Sequence, residues 1–242
     1  IMYLRDLLFA ENRNFNIKYL FIDEMQDYSE IFLAYLAFSF PKARFTLLGD
    51  QAQNLFGPAT YQENAIATYY QNIFPQKRLT YRELNTSYRS TKPITDLGKQ
   101  ILENPEITAF NREGPAPVFL KFKDQSELLT KYQALVQSQL QRHTIVAIIT
   151  KTTTEAQFLA NNLHSELKPH LITEQTRSLK EGLLIMPIYL AKGLEFDCVI
   201  AHDLSQTNYH EPKDREVLYT IVSRAMHELT LTSVGDFSEF LK

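Results

Sequence analysis

An α/β fold of parallel sheets flanked by helices is what this 242-residue sequence predicts, on three observations. Short continuous apolar runs recur, with the length and unbroken character of strands buried on both faces of a parallel sheet. Segments of helical periodicity alternate with them, the pattern of strand–helix–strand crossovers. The two earliest runs end in acidic or glycine-containing turns, and open parallel sheets place ligands beyond the carboxyl ends of their strands.

The elements follow in order. The sequence opens at Ile1 inside an amphipathic pattern (Leu4, Leu7, Leu8), which reads as the interior of a longer protein. After the polar stretch Glu11 to Asn16, Tyr19-Leu20-Phe21-Ile22 is a strand expected to be buried on both faces. Ile31 to Phe40 is an apolar helix ended by Pro41, and Phe45-Thr46-Leu47-Leu48 is a second strand. The alternation then returns. Val118 to Phe122 and Ile145 to Thr150 read as strands, with helices at Ser126 to Gln141 and Thr154 to Leu167. Leu183 to Met186, Cys198 to Ala201 and Leu229 to Val234 are further strands. Glu211 to Met226 reads as helical, with Pro212 in the first turn and Leu218, Val222 and Ala225 on one face. Two units are expected, joined at about Leu79 to Tyr88. The first reads as truncated, because two strands cannot make a doubly wound sheet alone.

Composition excludes several classes. With 44% apolar and 22% charged residues the chain can build a core and is not disordered. Seven glycines rule out a collagen-like repeat, and the single Cys198 rules out an intramolecular disulfide framework. A net charge of −3, from 25 Lys and Arg against 28 Asp and Glu, lacks the basic excess of a simple nucleic-acid coat but leaves room for a local groove. Trp is absent, so stacking on bases falls to the 13 Tyr and 16 Phe. The longest apolar stretch, Ile31 to Phe40, is too short to cross a bilayer, and no basic n-region with a following apolar run opens these residues, so no signal peptide is expected. A soluble, cytoplasmic protein with no membrane partner is expected.

Five segments carry chemistry. In Phe21-Ile22-Asp23-Glu24-Met25-Gln26-Asp27, adjacent carboxylates at a strand end suit magnesium-assisted nucleotide hydrolysis, and equally a helix start, where the dipole favours acids. In Leu48-Gly49-Asp50-Gln51-Ala52-Gln53, Gly49 permits a sharp exit and Gln53 could orient a water or sense a phosphate, although polar turns commonly follow strands. In Asn85-Thr86-Ser87-Tyr88-Arg89-Ser90, Tyr88 could stack on a base while Arg89 contacts phosphate, or Arg89 could simply be solvated. Leu190 to Asp197 is a glycine turn flanked by both charges, without the pattern of a phosphate-cradling P-loop. In Leu218 to Ala225, Arg224 lies on an otherwise buried helix, either as a structural cation or as a finger reaching a neighbouring active site.

Taken in order, IDEMQD, LLGDQAQ, NTSYRS, LAKGLEFD and LYTIVSRA resemble motifs two to six of superfamily 1 helicases of the UvrD type, over about Tyr19 to Val234. The stretch from Asn208-Tyr209-His210 through Asp214-Arg215-Glu216 to Ser223-Arg224-Ala225-Met226-His227-Glu228-Leu229 is most similar to the HelD branch, whose members bind and recycle bacterial RNA polymerase. The resemblance implies two RecA-like units with ATP between them, residues 1–84 forming the later part of the first and 85–242 the second. It implies that Asp23 holds Mg2+, that Glu24 activates the hydrolytic water, and that Gln26 and Gln53 line the γ-phosphate. Tyr88 would stack on adenine, Glu195 beside Gly193 would bind ribose, and Arg89 and Arg224 would neutralise the transferring phosphoryl group. The implied activity is that of an ATP-dependent DNA helicase or translocase, exercised with the N-terminal remainder of its own chain. The alternative is a HelD-type ATPase acting on RNA polymerase.

The sequence also departs from that pattern. The phosphate-cradling first motif is missing from these residues, so ATP turnover is expected of the longer protein and not of this stretch alone. Gly57-Pro58-Ala59 follows Phe56 where an Arg/Trp-rich stretch is usual, leaving Phe56 as the nearby ring for DNA. Tyr189 stands where the family often has a DNA-contacting histidine. The interval from Arg89 to Lys192 leaves no space for an inserted domain. The six histidines show no zinc-ligand spacing, Cys198 reads as small apolar packing, and Lys77-Arg78 with Tyr81-Arg82 mixes bases and a ring as a nucleic-acid groove does but reads first as a solvated linker.

Overall fold

The computed structural model describes residues 4–6, 13–54, 70–75 and 78–242. The chain divides into two compact units, Ile1–Glu83 and Leu84–Lys242.

In the first unit, β1 (Tyr19–Ile22) leads through a 3-10 turn at Met25–Asp27 into α1 (Glu30–Ser39), and β2 (Arg44–Leu47) returns parallel to β1. Ser29 starts α1 by accepting the Phe32 N–H at 3.3 Å, and the helix closes at Phe40, ahead of Pro41. Ile22 and Leu33 are buried with Tyr70, Ile73 and Phe74, against partly buried Leu20, Leu36, Phe45 and Leu47. The expectation that Tyr19–Ile22 is buried on both faces is corrected: Tyr19 and Phe21 are 61% and 72% exposed. Side chains alternate across a strand, and only the face bearing Leu20 and Ile22 packs on this core among the described residues.

The second unit begins with β3 (Thr86–Ser87), α2 (Lys92–Leu102) and β4 (Thr108–Ala109), in which β3 and β4 form their own parallel pair. The main sheet comprises β5 (Val118–Phe122), β6 (Ile145–Thr150), β7 (His170–Leu171), β8 (Gly182–Pro187), β9 (Phe196–Ala201) and β10 (Ala225–Val234). Its order is β5-β10-β9-β6-β8-β7 and every pairing is parallel. The connecting helices are α3 (Gln125–Leu140), α4 (Thr153–Asn162), the short α5 (Ile188–Ala191) and α6 (Asp214–Val222). Leu128, Tyr132 and Val136 of α3 are buried with Val146, Ile148, Leu183, Ile185, Cys198 and Ile200 of the central strands. No helix among the described residues is long and apolar enough to cross a membrane.

Several expected bounds shift for local reasons. The helix read over Thr154 to Leu167 stops at Asn162, and Ser165–Leu167 forms a separate 3-10 turn. The helix read over Glu211 to Met226 shortens at both ends. Pro212 falls in a turn where the Asp214 carboxylate accepts the His210 and Glu211 N–H groups at 2.9 and 3.0 Å, and Ala225 already pairs with Phe196 in the sheet. Helix α2 was not anticipated, although Ile94, Leu97, Gly98 and Ile101 mark its buried face.

A buried polar knot fastens α3 to the sheet. The Thr232 hydroxyl donates to the Ala201 carbonyl at 2.9 Å, so its oxygen receives the Tyr132 O–H at 2.8 Å. Tyr132 can then accept from Nδ1 of His202 at 3.0 Å, which requires a proton on Nδ1. Burial pulls the His202 pKa from 6.5 down to about 4. The folded value lies below the unfolded one, so the unfolded chain binds the extra proton. Stability is therefore full above pH 6.5 and falls as pH drops toward 4. Between pH 7.5 and 5 the loss is expected to be about 2 kcal/mol, measured by urea unfolding, and His202→Asn should flatten that slope. An equal slope in the variant would remove His202 as its source.

Candidate functional site

The predicted site residues fall on both units. In the first, the carboxyl ends of β1 and β2 are tied together. The Met25 N–H donates to the Leu48 carbonyl at 2.8 Å as the two strands run out. At Gly49 a Cβ would lie 2.2 Å from Oε1 of Gln26 and 3.0 Å from the Met25 nitrogen, so the exits approach this closely only around a glycine. Gln26 bridges them: its Nε2 donates to Glu24 Oε2 at 2.6 Å, and its Oε1 accepts the Asp50 N–H at 3.2 Å. Gln53 closes the chain by donating to Asp50 Oδ2 at 2.8 Å. Four predicted residues, Asp23, Glu24, Gln26 and Gln53, are thus gathered at one edge.

Glu24 sits there with φ 51° and ψ 44°, left-handed backbone that costs a non-glycine residue about 1–2 kcal/mol. Asp23 is exposed, and its Oδ1 accepts the Glu24 N–H at 2.9 Å. An exposed carboxylate with a second oxygen to spare is a hard-oxygen donor of the kind Mg2+ takes, so Asp23 is the residue of this edge that could hold such an ion.

In the second unit Arg89, Glu195 and Arg224 come together, but at the amino ends of β9 and β10. The acidic edge of the first unit lies beyond carboxyl strand ends; this cluster does not. The cause is the crossover. Residues 188–195 carry the chain from the carboxyl end of β8 back to the start of β9, and Gly193 turns it with φ +76°. Arg224 closes α6 immediately before β10, and its carbonyl accepts the Phe196 N–H at 2.9 Å.

Arg89 Nε lies 2.5 Å from Glu195 Oε1, both side chains being more than a third exposed. Ser90 and Thr91 hold that segment to β10, donating to the Ala225 carbonyl at 2.6 Å and to the Met226 carbonyl at 3.0 Å. Tyr88 is exposed with its ring 5.0 Å from that of Phe110, leaving a face open to a planar ligand. Arg224 is buried. Its Nε donates to the Thr220 carbonyl at 3.1 Å, Nη1 to the Leu194 carbonyl at 3.3 Å and Nη2 to Ser223 Oγ at 3.0 Å. As it stands the guanidinium locks the turn that carries Glu195.

Sequence reasoning missed the support behind Arg89. Nη1 of Arg112 donates to the Arg89 carbonyl at 2.7 Å, Nη2 of Arg112 meets His227 Nε2, and His227 Nδ1 lies 2.7 Å from Asp197 Oδ1. These residues have no mutual spacing that a motif could register. Tyr189 stands apart from the cluster, on α5 after the carboxyl end of β8, where it lines a cavity of about 200 Å3 with Thr153, Gln157, Ile172 and Thr173. Phe56 and Lys77 lie outside the described residues.

A family model described as the UvrD-like helicase C-terminal domain matches residues 182–232, from β8 through β9 and α6 into β10. The C-terminal domain of a possible DNA helicase from Lactobacillus plantarum WCFS1 is 39% identical, with a TM-score of 0.56. The match covers 64% of this chain and 92% of that one. An Arterivirus nonstructural protein 10 helicase is 16% identical over 92% of this chain and 41% of its own, with a TM-score of 0.49. A structure of an Arterivirus nonstructural protein 10 helicase with DNA is 17% identical over 95% of this chain and 43% of its own, with a TM-score of 0.47. None of the curated proteins matches the chain.

Proposed function

This chain belongs to the UvrD-like helicase C-terminal domains, and from that membership we propose that it serves an ATP-dependent DNA helicase or translocase, coupling ATP hydrolysis to movement on DNA. The observation that carries the reading is the convergence of Arg89, Glu195 and the Arg224-bound turn at one edge of the second unit's sheet. A partly exposed cation and carboxylate beside an exposed tyrosine ring are what a nucleoside phosphate requires: charge for phosphate, a hydroxyl acceptor for ribose, a π-face for the base. The first unit offers a carboxylate edge, with Glu24 as the base and Asp23 as the Mg2+ ligand. Bound Mg2+ would supply charge neutralisation at the phosphates. Glu24 accepts the proton of the attacking water. Gln26 and Gln53, each already held to Asp50, orient that water and the γ-phosphate. Tyr189 and Phe56 are the aromatic contacts offered to a DNA strand.

The test is the ATPase rate of the helicase carrying this chain, against titrated single-stranded DNA at two salt concentrations. Strong stimulation is expected. Phe56→Ala should weaken apparent DNA affinity about tenfold, since base–aromatic stacking is worth roughly 1–3 kcal/mol per base. A rate that stays flat at every DNA concentration, with RNA polymerase co-purifying, would replace this reading with the HelD-type one suggested by residues 208–229.

A further inference from the structure

On the α3 face of the second unit, three side chains that the nucleotide site does not use converge where β6, β9 and β10 begin. They are His143, on the turn before β6, Cys198 of β9 and Glu228 of β10, and their ligand atoms all lie within 4.8 Å of one another. We propose that His143 Nε2, Cys198 Sγ and Glu228 form a binding site for a divalent cation of the zinc class.

Strand geometry makes the site. The β9–β10 register shifts between Ala225 and Glu228, so that Glu228 stands directly opposite Cys198. Successive side chains alternate faces, so Asp197 and His227 serve the Arg89 side while Cys198 and Glu228 look toward α3. His143 closes the third side. Its Nε2 is buried and has no hydrogen-bond partner, although Glu228 Oε1 lies 3.3 Å away. The imidazole nitrogen therefore faces the carboxylate and the Cys198 thiol without a hydrogen bond of its own, the arrangement of a ligand lone pair turned toward a shared cation.

The donor set is specific. Thiolate and imidazole with one carboxylate favour zinc over magnesium or calcium, which take oxygen ligands. Zinc–ligand bonds of about 2.0–2.3 Å put tetrahedral donors about 3.3–3.8 Å apart. The His143–Glu228 separation already meets that spacing. On binding, the cation displaces the thiol proton to solvent, and thiolate plus carboxylate then balance its two charges. Arg142, whose Nη1 donates to Glu228 Oε1 at 2.7 Å, remains as the outer partner that orients this ligand. Three protein donors leave the fourth position to water, and the partly exposed Glu228 and His143 give it a route. A bound ion would clamp the β10 bulge that directly follows Arg224.

The experiment titrates the metal-stripped, untagged chain with Co2+. One cobalt per chain is expected, with a thiolate-to-cobalt charge-transfer band and displacement by Zn2+. Cys198 is the only cysteine, so that band has one possible source. Cys198→Ser should abolish it, and His143→Gln and Glu228→Gln should each weaken cobalt binding by at least about tenfold. His143 lies on a turn, so its variant keeps the test open should the Cys198 variant fail to fold. Absence of the band at millimolar cobalt overturns the proposal, and so does unchanged affinity in both ligand variants. ATP hydrolysis is not the readout, so the result stands apart from the nucleotide reading.

Discussion

Arg224→Ala is expected to lower the unfolding free energy by about 3–5 kcal/mol, a large share of the roughly 5–15 kcal/mol that holds an ordinary domain. The guanidinium is 1% exposed and donates to the Thr220 and Leu194 carbonyls and to Ser223 Oγ. Alanine would leave those acceptors short of donors inside the protein, at about 1–3 kcal/mol for each one that water cannot reach. It would also open a cavity among the largest fully buried side chains. Arg224→Lys should recover only part of the loss, because a point ammonium cannot reproduce a planar fork of donors. Urea unfolding followed by circular dichroism is the measurement. A change below about 1 kcal/mol would show that the guanidinium is not what holds the Leu194 turn.

The same residue shows what could be read from sequence. An arginine after a buried helical face was visible as a structural cation or a finger; that its Nη1 reaches back to Leu194 was not, because the contact depends on how the β8–β9 crossover folds. The central strands were legible for a simple reason. Val146–Ile149, Leu183–Met186 and Cys198–Ala201 are buried on both faces, so they appear as unbroken apolar runs. The pairs Thr86–Ser87, Thr108–Ala109 and His170–Leu171 are too short to show any period. Tyr19–Ile22 reads as a fully buried strand because an unbroken run of apolar and aromatic residues normally marks one; that Tyr19 and Phe21 stand exposed leaves no trace in that pattern. The partners Arg112, Asp197 and His227, and the trio His143, Cys198 and Glu228, are joined only by the sheet order and the bulge in β10. No local spacing encodes either set.

Glu24→Gln, in the helicase that carries this chain, should cut ATP turnover by about 10²–10⁴ while leaving nucleotide affinity nearly unchanged. The amide keeps the size of the side chain and retains an oxygen for the Gln26 Nε2 donor, so the bridge from Glu24 to Asp50 survives. The backbone at φ 51° is equally strained in both forms. In the proposed mechanism, what disappears is the basic oxygen that would take the proton from water, a contribution made in the transition state and not in the bound ground state. Asp23→Asn offers the contrast. As the proposed Mg2+ ligand, Asp23 should show its defect in Mg2+-dependent nucleotide binding, one that yields to higher Mg2+, whereas the Glu24 defect should not. Steady-state phosphate release at saturating ATP, beside equilibrium binding of a fluorescent ATP analogue, separates the two. If Glu24→Gln turns over at the wild-type rate, Glu24 is not the base. If it loses binding and turnover together, Glu24 acts by holding the β1–β2 edge in shape, and the base must be sought elsewhere in the whole enzyme.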